Sequence, residues 1–393
     1  DTDMIIAVTK NDETNMIVCQ LASSLFNIQK KIARIRSKEF LEGKWSRLFN
    51  KSNIPIDVII SPEIEVAKSL FRRLEAPGAI DNVPFAGGKV KMLEILINTN
   101  CPIANIPLKN LTEKFPDFKA NILGALRKDK FIFLKKNDMI LEEDNVYLVV
   151  SSDQLNQILK VFGHEEKTSE KILIIGGGNI GLQLAKLLEA NFEGVRIKII
   201  EKNKQRAEEI ATELSSSIVI NGDALDEDIL KEANIDDAET VLALTNDDED
   251  NIMACVLAEK SGSEKRTIAI TNKSNYALLQ KSLNIDDLID PRMTTVSRIM
   301  EHVHRGSIGT VYSLLDGEYE FMEAKILNKS ELLNKKIKDS NLPVHIRIGA
   351  VVRKDKVLIP RSDFIFEKDD LVVFLAKREL LKEVESIFRL SSI

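Results

Sequence analysis

The stretch KILIIGGGNIGLQLAKLLEANFEGVRIKIIEKN, Lys171 to Asn203, decides the fold of this chain. An apolar strand, a glycine turn, an amphipathic helix pattern and a second strand follow one another without interruption. Gly176, Gly178 and Gly181 match G-x-G-x-x-G between the first strand and the helix, a context in which this short motif indicates a dinucleotide-binding fold. We therefore expect the turn to hold phosphate groups at the start of the helix.

An acidic residue ends the second strand of the same unit. Glu201 follows Gly181 by twenty residues and closes the strand VRIKIIE. A carboxylate at this position accepts hydrogen bonds from the adenosine ribose and repels a 2′-phosphate, so the sequence favours NAD(H) or an adenine nucleotide over NADP(H). The alternative is an ordinary strand–helix–strand unit whose glycine turn binds no ligand.

Composition is typical of a globular chain with several domains. The 393 residues are 44% hydrophobic and 30% charged, and at about 150 residues per domain the length favours two to four domains. A formal net charge of −6 without a basic block argues against a nucleic-acid partner. Three cysteines without C-x-x-C favour a reducing cytoplasmic compartment, and four histidines form no metal-ligand set. No window reaches the roughly 18 apolar residues of a membrane span, so any membrane role is expected to need a partner.

An internal repeat organises the rest of the sequence. DMIIAVTKNDETNMIVCQLASSL, Asp3 to Leu25, aligns with ETVLALTNDDEDNIMACVLAEKS, Glu239 to Ser261, at an offset of 236. The pairs in register are Thr9/Thr245, Asp12/Asp248, Glu13/Glu249, Asn15/Asn251, Cys19/Cys255 and Ala22/Ala258. After a short length difference, Ser61-Pro62 and Asp290-Pro291 supply equivalent helix starts.

The second copy of the repeat is more complete than the first. Its strand and helix patterns alternate through helices predicted at Lys204 to Leu214, Glu249 to Ser261 and Asn275 to Leu283, which indicates a parallel sheet with helices on both faces. Lys171 to Asp236 has no counterpart before Asp1. We therefore expect the first copy to begin at its fourth strand and the parent protein to continue upstream, since a sheet edge would otherwise stay unpaired.

A smaller module follows each copy of the nucleotide fold. Short strand patterns recur with one interior helix and a closing helix, and the repeated RKDK turns, Arg127 to Lys130 and Arg353 to Lys356, mark equivalent hairpins. The polar segment Gly163 to Glu170 is a predicted boundary. The predicted fold is α/β, with doubly wound parallel-sheet Rossmann-like domains alternating with small α+β modules, all duplicated. The predicted ranges are 1–89 for the partial first Rossmann-like domain, 90–163 for its small module, 171–310 for the complete second Rossmann-like domain and 311–393 for the last module.

The order of these parts, together with several motifs, resembles the TrkA family, the regulatory subunits of bacterial Trk-type potassium uptake systems. The repeats of that family are called RCK or KTN domains. GGGNIG, GDA, TNDDEDNIM, GAVVR and SPE…PGAI carry the resemblance, which covers the whole chain. It implies a cytoplasmic subunit held at the inner membrane by a Trk-type potassium transporter and assembled with its own copies into a tetrameric RCK ring. It also implies NAD(H) as the ligand, with ATP or ADP as a further ligand.

The resemblance assigns ligand contacts to the second copy. They are Gly176, Gly178, Asn179, Ile180 and Gly181 for the phosphate turn, Glu201 for the ribose, Asp223 and Ala224 for the adenine, and Thr245, Asn246 and Asp247 at the end of the fourth strand. Open α/β sheets bind ligands at the carboxyl ends of their strands. The last three residues would also suit helix capping without a ligand, and the sequence leaves both interpretations open.

Corresponding positions occur in the first copy. They are Thr9, Lys10 and Asn11 at the strand end, with Arg34 and Arg36 of ARIR resembling phosphate-contacting arginines of the family. Arginine forks suit phosphate oxygens, and a solvated strand face is the alternative. The second copy carries Ile270 and Asn272 at the arginine positions, so the two sites are expected to be unequal.

Three classes of function are considered for this sequence. A NAD-dependent oxidoreductase would use the same glycine turn, but no Tyr-x-x-x-Lys, no histidine–carboxylate pair and no catalytic cysteine supply an acid or base. A structural scaffold would not need both the glycine turn and Glu201. Because each nucleotide fold is followed by the same small module, we predict a non-enzymatic sensor that gates a Trk-type transporter. The further alternative is an RCK regulator of another cation channel or antiporter.

Overall fold

The computed structural model describes residues 2–116, 118–128, 130–164, 168–261, 265–303 and 308–388. Residues 1–71 and 169–302 form one compact unit, and residues 72–168 and 303–393 form a second. Each unit therefore combines equivalent parts of the two copies. Asp129 of the first RKDK turn and Glu165 to Lys167 of the predicted boundary segment lie outside the described residues. No helix within the described residues has the length and apolar character needed to cross a bilayer.

The first half of the chain contains a short nucleotide-fold copy and a small module. The nucleotide-fold elements are β1 (Met4–Ala7), α1 (Asp12–Phe26), β2 (Lys30–Arg34), α2 (Lys38–Leu41), β3 (Val58–Ile60) and α3 (Pro62–Glu75). They are followed by β4 (Asp81–Phe85), β5 (Val90–Leu96), α4 (Leu108–Lys114), β6 (Ala120–Arg127), β7 (Lys130–Ile132), β8 (Asn145–Ser151) and α5 (Leu155–Val161).

The second half repeats this order with a longer nucleotide fold. Its elements are β9 (Lys171–Ile175), α6 (Asn179–Asn191), β10 (Arg196–Glu201), α7 (Lys204–Glu213), β11 (Ile218–Asn221), α8 (Glu227–Glu232), β12 (Thr240–Ala243), α9 (Asp248–Lys260), β13 (Arg266–Ile270), β14 (Asp287–Ile289) and α10 (Pro291–Val303). The small module contains β15 (Ile308–Leu314), β16 (Tyr319–Lys325), β17 (Ile346–Arg353), β18 (Lys356–Leu358), β19 (Leu371–Lys377) and α11 (Leu381–Phe388).

Six parallel strands form the complete sheet, in the order β11-β10-β9-β12-β13-β14. The apolar residues of β9 from Ile172 to Ile175 are at most 2% exposed, because helices cover both faces of a parallel sheet. β9 pairs with β10 on one side and with β12 on the other, so the direction of winding reverses between β9 and β12. Such a reversal opens a crevice at the carboxyl ends of the strands, which here is next to the glycine turn. The predicted doubly wound fold is confirmed.

The three strands of the first copy match the second half of that sheet. β1, β2 and β3 are parallel and neighbours in sequence order, as are β12, β13 and β14. Ala7 pairs with Ala33 in the first copy, and Ala243 pairs with Ala269 in the second. The repeat found in the sequence therefore extends to the register of strand pairing.

One predicted helix of the second copy is wrong. The segment predicted as a helix at Asn275 to Leu283 forms two short 3-10 turns, Ser274–Leu279 and Lys281–Leu283. Leu278 in the middle of this segment is 82% exposed, so the segment offers no continuous buried stripe that would stabilise a longer α-helix. α8, a helix of only six residues, was not predicted from the sequence.

The small modules form two antiparallel sheets with the same strand order. That order is β4-β5-β8-β6-β7 in the first and β15-β16-β19-β17-β18 in the second. Phe85, Val149 and other side chains of the first sheet share one apolar core with Phe321 and Val373 of the second. The phenyl rings of Phe85 and Phe321 lie 6.3 Å apart, centroid to centroid. On this face, the described residues of the two modules form a single shared core.

Both modules also contain the same buried ion pair. In the first, Arg127 donates two hydrogen bonds of 2.7 Å to the buried carboxylate of Asp144. In the second, Arg353 donates two hydrogen bonds of 2.8 Å to the buried carboxylate of Asp370. Each arginine begins one of the repeated RKDK turns, so the sequence repeat indicated a shared anchor without showing its partner.

Candidate nucleotide site

The glycine turn between β9 and α6 uses its glycines in different ways. Gly176 has a φ of +104°, and a Cβ there would lie 3.0 Å from the backbone of Leu244. A Cβ on Gly181 would overlap the carbonyl oxygen of Gly176, so α6 can pack onto the turn only with glycine at this position. A Cβ on Gly178 would meet nothing within 4 Å. Gly178 is also the N-cap of α6 and provides no side-chain cap, so the helix start faces open space.

A cavity of about 380 Å³ opens beside this turn, at the carboxyl ends of the strands. We call it the glycine-turn cavity. Among its lining residues are Gly176, Gly178, Glu201, Lys202, Asp223, Ala224, Thr245, Asn246 and Asp247. The structure therefore brings together predicted residues from the turn and from three strand ends. Asn179 and Gly181 lie in α6 without lining the cavity.

The carboxylate of Glu201 braces the turn that it faces. Its Oε2 accepts a hydrogen bond of 2.8 Å from the backbone N–H of Gly177, and its Oε1 accepts one of 2.8 Å from the N–H of Asn203. A carboxylate oxygen can accept more than one hydrogen bond. Glu201 can therefore hold the turn and still accept hydrogen bonds from ribose hydroxyls.

Two lining residues of the glycine-turn cavity form an ion pair. Lys202 Nζ lies 2.7 Å from Asp223 Oδ2, and both side chains are largely exposed. The ion pair with Lys202, together with a hydrogen bond from the N–H of Leu225, lowers the pKa of Asp223. Asp223 is thus an ionised acceptor at the predicted adenine edge.

The end of the fourth strand is held by Asn251, which was known from the sequence only as a repeated residue. Asn251 is fully buried, and its Oδ1 accepts hydrogen bonds from the N–H of Thr245 at 2.8 Å and from its hydroxyl at 2.7 Å. Its Nδ2 donates to the carbonyl oxygen of Ile270 at 3.1 Å, which ties β12 to β13. Asp247 is the N-cap of α9 and accepts a hydrogen bond from the N–H of Asp250 at 2.9 Å. Thr245 and Asp247 therefore combine structural bonds with a place on the cavity wall.

The first copy contains the same bonds. Asn15 Oδ1 accepts from the N–H of Thr9 at 2.9 Å, and Asn15 Nδ2 donates to the carbonyl oxygen of Arg34 at 2.8 Å. Asn11 caps α1 and accepts from the N–H of Thr14 at 2.7 Å. Lys10 is exposed and lines neither the glycine-turn cavity nor its neighbour. The repeated Thr and Asn residues were the sequence signal for this framework.

A second cavity, of about 430 Å³, is built by both copies, and we call it the inter-copy cavity. Its residues from the first copy include Arg34, Arg36, Pro62 and Glu63, and those from the second include Ile180, Thr245, Asn246, Ile270, Asn272, Pro291 and Arg292. Thr245 and Asn246 line both cavities, so the two cavities share a wall. The first-copy arginines thus line the same cavity as Ile180 of the second copy's phosphate turn.

The charged groups of the inter-copy cavity are partly paired. Arg34 Nη2 donates to the carbonyl oxygen of Thr9 at 2.7 Å, and Arg36 Nε donates to Glu63 Oε1 at 2.6 Å. Arg292 lies 2.9 Å from Asp290. Three arginines against one lining carboxylate give this cavity a positive balance, which suits an anionic group.

The described residues form no competing centre elsewhere. Among the described residues, no group of three or more His, Cys, Asp or Glu side chains could hold a metal ion. A larger cavity of about 910 Å³ lies in the second unit, but none of the predicted ligand-contacting residues lines it.

Two family models alternate along the chain in the order inferred from the motifs. The TrkA-N domain matches residues 1–62 and 172–291, and the TrkA-C domain matches residues 92–163 and 321–389. The chain belongs to the TrkA family. The resemblance inferred from the sequence is thereby confirmed.

Named relatives agree with this assignment. The Trk system potassium uptake protein TrkA of Azorhizobium caulinodans is 43% identical over 389 residues, covering 99% of this chain and 85% of the relative. The protein of the same name from Vibrio alginolyticus is 38% identical over 393 residues, with the same two coverages.

Solved structures support the fold. The RCK domain of GsuK is 19% identical with a TM-score of 0.56, covering 98% of this chain and 80% of that chain. The GsuK channel bound to NAD is 18% identical with a TM-score of 0.57, covering 98% of this chain and 67% of that chain.

Proposed function

We propose that this chain is the nucleotide-sensing regulatory subunit of a Trk-type potassium uptake system. Its relatives are named as components of that system, and a structure of the same fold was solved with NAD. In the proposal the chain binds NAD(H), with ATP or ADP as competing ligands, and carries out no reaction. It works at the cytoplasmic face of the membrane, in a tetrameric ring of its own copies attached to a potassium-conducting partner.

The proposed ligand lies across the two cavities. Its diphosphate meets the start of α6 beside Gly178, where the N–H groups of the first helical turn and the helix dipole favour an anion. Glu201 accepts from the ribose, and the Asp223–Ala224 edge contacts the adenine. The observation that carries the proposal is that Thr245 and Asn246 line both cavities, so a dinucleotide can continue towards Arg34 and Arg36.

Gating follows from contact with both copies. A ligand that bridges the glycine turn of one copy and the arginines of the other binds best when the two copies are at one particular separation. Ligands of different length therefore favour different arrangements, and only this difference in affinity can shift the equilibrium of the ring. The partner subunit would then open or close with the ring.

The Gly178→Asp variant tests the nucleotide site. Gly178 has a φ of −64° and an open Cβ position, so the protein accommodates a side chain there, and aspartate is a favourable N-cap. The same carboxylate would occupy the phosphate position and repel the ligand. We expect thermal stability to be unchanged or raised while NADH and ADP affinity falls by at least about a hundredfold, roughly 2.7 kcal/mol. Unchanged affinity in calorimetric titration would remove this turn from the proposal.

Potassium flux through the reconstituted complex tests the regulatory part. We expect nucleotides to change flux with the wild-type subunit and to have no effect with Gly178→Asp. Equal flux with and without nucleotide in the wild-type complex would contradict gating. Sustained NADH oxidation by the purified protein with a small substrate would support the oxidoreductase alternative instead.

A further inference from the structure

The middle residue of the glycine turn is held from two sides. The N–H of Gly177 donates to Glu201 Oε2 at 2.8 Å, as described above. On the other side, the carbonyl oxygen of Gly177 accepts a hydrogen bond of 3.0 Å from Arg206 Nε. A Cβ on Gly177 would lie 2.4 Å from the terminal Cδ1 of Ile210, so a larger residue here would have to displace the end of that side chain. Both polar groups of one residue are therefore fixed by side chains from β10 and α7.

Arg206 reaches the turn from outside the ligand cavities. It lies in the first turn of α7, where its own N–H donates to the N-cap side chain of Asn203 at 3.0 Å. Its guanidinium also approaches Asn179 Oδ1 at 3.4 Å, and its side chain is 27% exposed. Arg206 lines neither the glycine-turn cavity nor the inter-copy cavity. In this structure it contacts the turn rather than the space where the phosphates would lie.

The bond to the Gly177 carbonyl has a directional consequence. The peptide between Gly177 and Gly178 is trans, and a trans peptide points its C=O and N–H in opposite directions. When Arg206 holds the carbonyl, the N–H of Gly178 points away from Arg206. Gly178 lines the cavity and has open space around it. A peptide between two glycines rotates easily, so an external hold is needed to keep this N–H in one direction.

We infer that Arg206 is a positioning residue that presets the Gly177–Gly178 peptide for binding of the nucleotide diphosphate. Glu201 and Arg206 act together, the first on the N–H of Gly177 and the second on its carbonyl. The turn is then already arranged before the ligand arrives, so less ordering is needed on binding. The inference rests on the proposed nucleotide site and adds a residue that does not touch the ligand.

The test compares two variants in the first turn of α7. Arg206→Met removes the donors and keeps an apolar stem of similar reach. Lys204→Met removes one positive charge from the same turn at an exposed position and serves as the control. Affinity for NADH, ADP and adenosine is measured by calorimetric titration at two salt concentrations. Amide hydrogen exchange of Gly176 to Gly178 is measured without ligand.

The inference predicts a split between ligands with and without phosphate. Arg206→Met should weaken NADH and ADP binding about tenfold and leave adenosine binding within twofold, with faster exchange in the turn. Lys204→Met should bind all three ligands with affinities within twofold of the wild type. If the salt dependence of NADH and ADP affinity changes only in Arg206→Met, Arg206 contacts the phosphates directly and the positioning role is overturned. Equal losses for adenosine, or unchanged exchange and affinity, would also overturn it.

A second variant distinguishes a lost positioning role from a loss of folding. Arg206→Gln keeps a donor on a shorter side chain and should give an intermediate loss of ADP affinity at an unchanged unfolding temperature. If the wild-type protein binds neither NADH nor ADP, the proposed function itself fails. If the wild type binds them and Arg206→Met binds equally well, only the role of Arg206 fails.

Discussion

The two copies of the nucleotide fold share one hydrogen-bond framework but differ where they face each other. Asn15 and Asn251 make the same bonds to a threonine and to the next strand. At the inter-copy cavity the first copy presents Arg34 and Arg36, where the second presents Ile270 and Asn272. The first also presents Glu63 where the second presents Arg292.

This difference separates residues that build the fold from residues that suit a ligand. Asn15 and Asn251, whose side chains bond to the backbone at the end of a strand, are identical in the two copies. Three equivalent pairs that differ all line one cavity, where a single ligand would need different groups on its two sides: Arg34/Ile270, Arg36/Asn272 and Glu63/Arg292. Asp12 and Asp248 belong to the first class, since each carboxylate accepts backbone N–H groups just beyond the next strand. The unequal residues of the two copies therefore face each other in one shared cavity.

The largest expected effect comes from breaking the shared framework. Asn15→Leu and Asn251→Leu each leave a buried strand end without its partners, and each unsatisfied group costs about 1–3 kcal/mol. We expect both variants to lose about 2–4 kcal/mol of unfolding free energy in urea titrations, by similar amounts. As a control, Gln205→Leu at an exposed position should change the unfolding free energy by less than about 0.5 kcal/mol. A large loss in one copy and none in the other would contradict an equivalent framework.

The next effect comes from making the two copies alike at the cavity. Arg34→Ile gives the first copy the residue found at the matching position of the second. We expect NADH affinity to fall about tenfold, roughly 1.4 kcal/mol, because a charged donor near the phosphates is lost. Lys10→Asn is the matched control, since it also introduces the second copy's residue but lies outside both cavities. Equal losses in fluorescence titrations of the two variants would show a long-range charge effect only.

Arg36 gives a less specific test of the same cavity. Its partner Glu63 is only 7% exposed, so Arg36→Asn would leave a buried carboxylate without its cation. Loss of stability would then accompany any loss of affinity. Arg34→Ile avoids this because Arg34 donates to a backbone carbonyl.

The smallest effect is a pH dependence specific to the second copy. Burial alone would raise the pKa of Glu189, but N–H groups of Ser215, Ser216 and Ser217, with the Ser217 hydroxyl, bring its pKa down to about 2. An unfolded glutamate has a pKa of about 4.3, so this stabilisation is complete above that pH and is lost as pH falls towards 2. Allowing for solvent screening, we expect Glu189→Gln to cost about 0.5–1 kcal/mol at pH 7.

Urea titrations of wild type and Glu189→Gln between pH 7 and pH 3 would measure this effect. The difference in unfolding free energy should shrink below about pH 4.3. A difference that stays constant with pH would assign the role of Glu189 to packing. The Asn15 and Asn251 variants should show no comparable pH dependence.

Much of the fold could be predicted from the sequence because its signals are local. Strand–helix alternation and the context of Gly176 to Gly181 indicated the doubly wound sheet, and the repeat identified the equivalent halves. The helix predicted from Asn275 to Leu283 was wrong because Leu278 and Leu279 stay exposed, so the segment lacks a continuous buried stripe. Sequence periodicity alone cannot show whether an apolar stripe packs against another element.

The site was predictable only in part, for a related reason. The turn and Glu201 come from one continuous stretch, and the structure brings them to one cavity. The approach of Arg34 to the second copy depends on packing between segments far apart in sequence. Arg206 carried no motif, and its bond to Gly177 depends on where α7 begins. The ligand contacts themselves stay predictions.

The shared core of the small modules has a consequence for assembly. Two separate chains would have to meet in solution to bury Phe85 against Phe321, and their pairing would weaken on dilution. Here both partners belong to one polypeptide, so each meets the other at an effective local concentration of millimolar order. Pairing of the modules is therefore independent of how much protein the cell makes. A cut within residues 163–170 would turn this internal contact into a bimolecular equilibrium and expose apolar surface on both fragments.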